Sequence, residues 1–373
     1  MSQPALKVAF DNSLAATNQT GTGVYASQLI RELSARQDIQ LSVLSGWGSR
    51  PGGGMLVRKL RSMGRFAWNH VCLPLAVRRQ HFDLLHAPAF TVPFGCPCPT
   101  VVTIHDLSFL MHPHHFSPGW RTYATQMLPG VLRSAGGIIC VSGSTKRDLL
   151  RFFPVADEKV HVVHNGLDHT RFNTDAKLDC DWARSAGIRK PYILHVGSLM
   201  ERKNIPVLLR AAARLRDTGG FAGYQLVLAG KEAPGLAGAG AINDTIEHCR
   251  LQDTVLKVGH VPDDKLAGLY AGAALLVMPS MYEGFGLPVL EAMATGTPVI
   301  TSNVSSLPEV AGNAALLVAP GDEPALGESI HAVLVDGALR EDLRRKGLTQ
   351  AQKFSWQRAA EETIAVYRSV AKS

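Results

Sequence analysis

Tyr282-Glu-Gly-Phe-Gly-Leu-Pro-Val-Leu-Glu-Ala-Met-Ala-Thr-Gly-Thr-Pro-Val-Ile300 reads as a glycine turn, a helix and the start of a strand. Gly284 and Gly286 open the turn, where residues without a Cβ let backbone N–H groups come close to a ligand. The apolar run from Leu287 to Met293 then begins a helix, and its partly positive N-terminal end suits an anion such as a diphosphate. Upstream, Leu275 to Pro279 is a short apolar run, and Pro298 to Thr301 is another downstream. Strand, helix and strand in that order predict a parallel βαβ unit. Glu283 sits at the turn and Glu291 two helical turns on, so the two can reach different parts of a ligand held there. Paired glutamates at this spacing are common on helix surfaces; the glycine turn beside them makes these two candidates.

The same alternation extends outward in both directions. Strands are predicted at Leu6 to Asp11, Gln40 to Leu44, Asp83 to His86, Thr100 to His105, Gly137 to Val141 and Val160 to His164, with a helix from Gly23 to Leu33 after the first. A second series runs through Tyr192 to Gly197, Gln225 to Gly230, Val255 to Gly259, Leu275 to Pro279, Pro298 to Thr301 and Ala315 to Val318. The chain has 373 residues, too many for one compact core. The expected class is therefore α/β, with an N-terminal domain over 1–172 and a C-terminal domain over 173–353. Thr170 to Lys190 holds no clear strand and reads as the linker region. Residues 354–373 read as an amphipathic helix with Ser355 as a plausible N-cap.

Charge divides unevenly. Residues 1–190 hold 21 Lys and Arg against 12 Asp and Glu, a net of +9, whereas 191–373 hold 17 against 19, a net of −2. Within the basic half, Met55 to Arg79 places Leu56, Leu60, Met63 and Ala67 on one side of a possible helix and Arg58, Arg61 and Arg65 on another. That pattern fits a helix lying on anionic lipid, and equally an ordinary surface helix packed on a sheet. Nucleic acid is not an expected partner, since no stacking aromatics interleave with the basic residues and no binding motif appears. The N-terminus shows neither a cationic start with an apolar leader nor a spanning apolar run, so a cytoplasmic location is expected. Six scattered cysteines suit thiols better than disulfides. Cys96-Pro-Cys98, followed by His112, His114 and His115, matches no zinc spacing and reads as loop residues beside a strand.

A bound diphosphate, and any further charge that grows on it as a bond breaks, must be met electrostatically. Arg202 and Lys203, in His195-Val-Gly-Ser-Leu-Met-Glu-Arg-Lys-Asn204, follow a strand and would project from its carboxyl end, where open α/β sheets bind ligands. Cations are disfavoured at a helix start, so their presence there points to a compensating anion. Gly21-Thr-Gly23 after the first strand is a weaker phosphate signal, lacking the third glycine of the dinucleotide fingerprint. The only Asp-x-Asp pair, Asp179-Cys-Asp181, falls in the linker region, so no metal and no other cofactor is expected.

Taken with its flanks, the Glu283 to Glu291 segment resembles the Glu-x7-Glu motif of retaining glycosyltransferases of the two-Rossmann-domain, GT-B type, family 4, a group that includes many mannosyltransferases. The resemblance covers most of residues 5 to 370. It implies two Rossmann-like domains facing across a cleft, the first binding an acceptor and the second a nucleotide sugar, with the last helix crossing back to the first domain. It assigns catalytic roles to His105, Arg202, Lys203 and Glu283. Donor contacts fall to Gly21, Gly23, Arg202, Lys203, Val261, Glu283, Gly284, Phe285, Gly286, Leu287 and Glu291. His105, in Thr103-Ile-His-Asp-Leu107, matches a position lying against the donor sugar. Gly259-His-Val261 matches the turn holding the base through backbone groups, and Asn165-Gly-Leu-Asp168 resembles an interdomain motif. The family pattern often has an arginine directly after the strand glycine, where this chain has Ser198. The implied reaction moves a hexose, mannose from GDP-mannose first, onto a glycan or lipid-linked oligosaccharide at the inner face of the membrane. A UDP-sugar donor, a sugar-nucleotide 2-epimerase and a non-catalytic sugar-nucleotide-binding protein are the alternatives.

Overall fold

A computed structural model of the chain describes residues 5–13, 21–46, 64, 67–90, 93, 95–116, 118–232 and 239–372. They divide into two compact units, one of 1–107, 119–166 and 356–373, the other of 108–118 and 167–355.

The first unit is built on a six-stranded parallel sheet. Its strands are β1 (Leu6–Asp11), β2 (Ile39–Leu44), β3 (Leu84–Ala87), β4 (Thr100–Ile104), β5 (Gly137–Cys140) and β6 (Val160–Val162), in the order β2-β1-β3-β4-β5-β6. Every strand run expected from sequence is present, each shifted by no more than two residues at its ends. Strands β3, β4 and β5 are buried along their whole length, as continuous apolar runs require when helices cover both faces. The helix Gly21–Ser34 starts two residues earlier than its apolar period suggested. Gly21 and Gly23 are thus in the first helical turn rather than in a loop, where the leading N–H groups still have no partner within the helix.

The last helix, Trp356–Ala371, belongs to this unit. Trp356, Ala359, Ala360, Ile364, Val366, Tyr367 and Val370 share a core cluster with Val8, Phe10, Tyr25, Leu29, Leu33 and Ile139. Close approach needs a strand start without side chains. A Cβ on Gly137 would stand 2.7 Å from a Val370 methyl. Arg368 adds an ion pair to Asp38.

The second unit repeats the architecture with β7 (Tyr192–Val196), β8 (Gln225–Ala229), β9 (Val255–Gly259), β10 (Leu275–Met278), β11 (Val299–Ser302) and β12 (Leu316–Val318), in the order β12-β11-β10-β7-β8-β9. All pairs are parallel. Its core joins Ile193, Leu226, Leu228, Leu275, Val277 and Ile300 of the sheet to Leu208, Leu209 and Ala212 of the helix Ile205–Asp217. Thr170 to Lys190 holds no strand but does hold a helix, Cys180–Ser185, capped by Asp179, whose Oδ1 accepts from the N–H groups of Asp181 and Trp182. The Asp179-Cys-Asp181 pair therefore serves a helix start.

The strand order sets where a ligand can bind. Connections leave β7 and β10 toward opposite sides, so a crevice opens at the carboxyl ends of these two neighbours. The corresponding reversal in the first unit lies between β1 and β3.

Candidate functional site

Arg202 and Lys203 follow β7, Glu283 follows β10, and the fold brings them together at the reversal point of the second sheet. Glu201–Lys203 form one turn of 3-10 helix, after which Asn204 takes a left-handed conformation (φ 55°) that starts the next helix. This turn delivers Lys203 inward: its side chain is 8% exposed and its Nζ donates to Glu283 Oε1 at 2.5 Å. Arg202 is 17% exposed and donates from the same guanidinium nitrogen to Tyr282 O at 3.1 Å and Glu283 Oε2 at 3.3 Å. The backbone joins too, with Met281 N–H donating to Arg202 O at 2.8 Å. Burial raises the Glu283 carboxyl, but the charges of Lys203 and then Arg202 outweigh it and hold the group at about 2. Glu283 is ionised at neutral pH, and the three residues together carry one net positive charge.

The turn around Glu283 is held by two serines that sequence reading passed over. Glu283 N–H donates to Ser305 Oγ at 2.9 Å, while Ser306 Oγ lies 2.9 Å from Glu283 O and 2.7 Å from Phe285 O. A serine pair in a loop more than twenty residues downstream gives no local signal of this task. Gly286 sits at φ 113° as the N-cap of the helix Leu287–Ala294. Only glycine takes that conformation without strain, so the turn can enter the helix directly. Phe285 is buried edge-on against Phe354, with ring centres 5.9 Å apart, and Leu287 and Gly284 are half-buried.

Glu291 does not join the cluster. Its Oε2 accepts from Tyr270 Oη at 2.7 Å. Burial pushes its carboxyl above the usual range, although the Tyr270 hydroxyl and the nearby Arg171 act the other way. Tyr270, on the helix Asp263–Gly272, is a further residue that sequence reading missed. Val261 is buried just beyond β9, where Gly259 turns the chain at φ 68°. Beneath the charged cluster, His195 on β7 lies 3.0 Å by its Nδ1 from Val277 O, so this nitrogen carries the proton. Its Nε2 is buried with no hydrogen-bond partner. Ser280, buried on the stretch after β10, lies against Glu283, and its hydroxyl helps to hold that carboxyl low. A surface depression of about 370 Å³ is bordered by Arg171, Lys177, Asp263 and Asp264. None of Arg202, Lys203 and Glu283 lines it.

In the first unit, His105 follows β4. Its Nε2–H donates to Pro88 O at 2.8 Å, which leaves Nδ1 as the acceptor of the neutral ring. Burial lowers its proton affinity, partly offset by the Pro88 carbonyl and Asp106. The ring meets the edge of Tyr25 at 4.9 Å. Tyr25 is in the helix that Gly21 and Gly23 begin, so contact within this unit ties the glycine turn to His105. Of the basic segment, Arg58, Lys59, Arg61 and Arg65 lie outside the described residues; Arg78 and Arg79 end the helix Leu73–Gln80. Among the described residues no helix is long and apolar enough to cross a membrane, and no three His, Cys, Asp or Glu side chains are grouped to hold a metal ion.

Two doubly wound parallel sheets with a cation–carboxylate cluster at a strand-order reversal are the architecture of a GT-B transferase. Comparison with known proteins agrees. The model "Glycosyl transferases group 1" matches residues 182–350, and "Glycosyltransferase Family 4" matches 20–171. The O-antigen chain mannosyltransferase B of Escherichia coli is 32% identical over 305 residues, covering 79% of this chain and 76% of that protein. Among solved structures, sucrose-phosphate synthase from Thermosynechococcus elongatus has a TM-score of 0.79 at 22% identity, over 99% of this chain and all of its own. Anabaena HepE, solved with UDP and glucose, has a TM-score of 0.73 at 19% identity over 98% of this chain and all of its own. The chain belongs to family 4 of the group 1 glycosyltransferases, and it is a glycosyl-transferring enzyme.

Proposed function

We propose that this glycosyltransferase moves a hexose from a nucleoside diphosphate sugar to a hydroxyl of a glycan or lipid-linked oligosaccharide, with retention at the anomeric carbon, in the synthesis of a cell-surface polysaccharide or lipopolysaccharide. Mannose from GDP-mannose is the favoured donor, supported by the similarity to the E. coli O-antigen chain mannosyltransferase. The observation that carries the reading is the buried cluster of Arg202, Lys203 and Glu283 at the carboxyl ends of β7 and β10.

Its excess positive charge is placed for a diphosphate. As the bond between the anomeric carbon and the phosphate oxygen lengthens, Arg202 and Lys203 meet the charge growing on that oxygen, with the N–H groups of the Gly284 to Leu287 turn beside them. The acceptor oxygen forms its new bond on the face the phosphate leaves, and its proton passes to the departing phosphate oxygen. Glu283 is no nucleophile here. Ionised and fixed by two cations, it holds a sugar hydroxyl where positive charge develops at the anomeric carbon. Glu291, oriented by Tyr270, takes the ribose, and Val261 offers backbone groups to the base. The family resemblance makes Gly21, Gly23 and His105 further donor contacts. Arg202 and Lys203 neutralise the leaving group without a metal, and the basic segment of 55–79 attaches the protein peripherally to anionic membrane. A UDP-sugar is the second donor reading, favoured by the bound UDP and glucose of HepE.

The test is a panel of GDP- and UDP-sugars with purified protein in EDTA, and NMR of the product. GDP-mannose turnover to an α-linked product supports the proposal, and turnover with UDP-sugars alone transfers it to the second donor. A β-linked product, a sugar ester trapped on Glu283, or activity restored only by Mn²⁺ refutes the mechanism.

A further inference from the structure

The first unit carries a second chemistry that sugar transfer does not use. Cys96 and Cys98 flank Pro97 in Gly95-Cys-Pro-Cys-Pro99, directly before β4, and their sulfurs lie 3.9 Å apart. Both are half-buried, resting on the cluster of Ala9, Leu73, Val77 and Leu85, while Gly95, Pro97 and Pro99 are exposed. Solvent-borne reagents therefore have a path to the pair. Proline at the intervening position fixes φ and limits how far the two thiols can swing apart. The contact also polarises them. Hydrogen bonding from the Cys98 thiol brings Cys96 below the ordinary cysteine range, and the same contact, with burial, pushes Cys98 above it.

We propose that Cys96 and Cys98 form a reactive dithiol site that takes small soluble disulfides of the glutathione disulfide class and closes reversibly to an intramolecular disulfide. The Cys96 thiolate attacks one sulfur of the disulfide. A mixed disulfide forms, the reagent's S–S bond breaks, and the released thiolate takes up a proton. Cys98 then loses its proton and attacks the Cys96 sulfur, forming the Cys96–Cys98 bond and releasing the second thiol. The protein gives up two electrons and two hydrogens, and the reagent becomes two thiols. An S–S bond is about 2.04 Å long, so the sulfurs close by roughly 1.9 Å. A ring spanning one intervening residue is strained, which makes the bond easy to reduce and the site reversible.

The experiment treats the native full-length protein with glutathione disulfide at pH 7, quenches it with acid and maps the peptide spanning residues 96–98 by mass. Exposed Cys72 and Cys180 report that the reagent reached the protein. The wild-type peptide is expected two hydrogens lighter with no adduct, and dithiothreitol should restore it. Cys98→Ser should keep glutathione on Cys96, and Cys96→Ser should gain an adduct on Cys98 roughly tenfold more slowly. Unchanged thermal midpoints of both variants would show that they fold, and the wild-type result stands without them. The proposal is overturned by a wild-type peptide that stays a dithiol while Cys72 and Cys180 react. A stable mixed adduct on the wild-type pair, or a bond from either cysteine to any other, overturns it too.

Discussion

Replacing Lys203 with Met should destabilise the second unit through the charge it leaves behind. Glu283 would remain 9% exposed with only Arg202 as counter-charge, at 3.3 Å. Removing one partner of a buried ion pair costs about 3–5 kcal/mol, and the remaining arginine puts the expectation near the lower end, about 3 kcal/mol. For a unit of this size that lowers the calorimetric midpoint by about 6–12 °C. With the Lys203 charge gone, burial gains on Arg202 and the Glu283 carboxyl rises, so the deficit of the variant should shrink on acidification as Glu283 takes up a proton. Adding Glu283→Gln to Lys203→Met should recover about 1–2 kcal/mol, since the buried carboxylate charge is then gone and Arg202, the more exposed partner, keeps its bond to the Tyr282 carbonyl, yet transfer activity should stay lost. Differential scanning calorimetry at pH 8 and pH 5 on wild type, both single variants and the double variant reads all of this. A midpoint for Lys203→Met within about 1 °C of wild type, or strictly additive losses, would refute the reasoning.

Acid should weaken each unit well above the carboxylate range. Burial pushes His86 down to about 3 in the first unit and His195 down to about 4 in the second, so below 6.5 the unfolded chain binds protons that the folded chain does not. Each histidine then removes up to about 1.4 kcal/mol of stability per pH unit. Urea midpoints that hold constant between pH 7 and pH 5 would contradict this. Glu283, depressed to about 2 from 4.5, adds a loss only as pH falls through that lower window. Glu283→Gln should slow transfer by about a hundredfold or more with less change in donor affinity, read from kcat and a donor titration. Equal loss in both would instead make the group a ground-state binder. Tyr270→Phe should weaken donor binding by several fold through a misoriented Glu291, and unaltered affinity would detach Glu291 from the nucleotide. Trp356→Ala should cost the first unit about 3–5 kcal/mol, because the ring is 3% exposed in its core. A drop under about 1 kcal/mol would mean the last helix contributes little there.

The alternation of β-branched runs with helical periods was enough to locate all twelve strands among the described residues, because burial on both faces of a parallel sheet writes itself into local composition. Glu283, Gly284 and Gly286 were legible for a similar reason: a turn into a helix requires glycines within a few residues of one another. The start of the first helix was less so, since Gly21 and Thr22 carry no apolar period, and the basic residues Arg58, Lys59, Arg61 and Arg65 fall outside the described residues. Arg202 and Lys203 were visible as cations in an unfavourable place. That Glu283 is their counter-charge was not visible, for eighty residues separate Lys203 from it. Only the pairing of β10 beside β7 closes that gap, and strand order is a long-range choice made by packing whole βα units. The same holds for Ser305 and Ser306 under the Glu283 turn, for Tyr270 on Glu291, and for the two sulfurs of Cys96 and Cys98, whose spacing was plain but whose contact depends on the fold of the loop. Local sequence determined which elements form and which residues stand at their ends. Tertiary structure decided which of those ends meet, and therefore which charges are buried together.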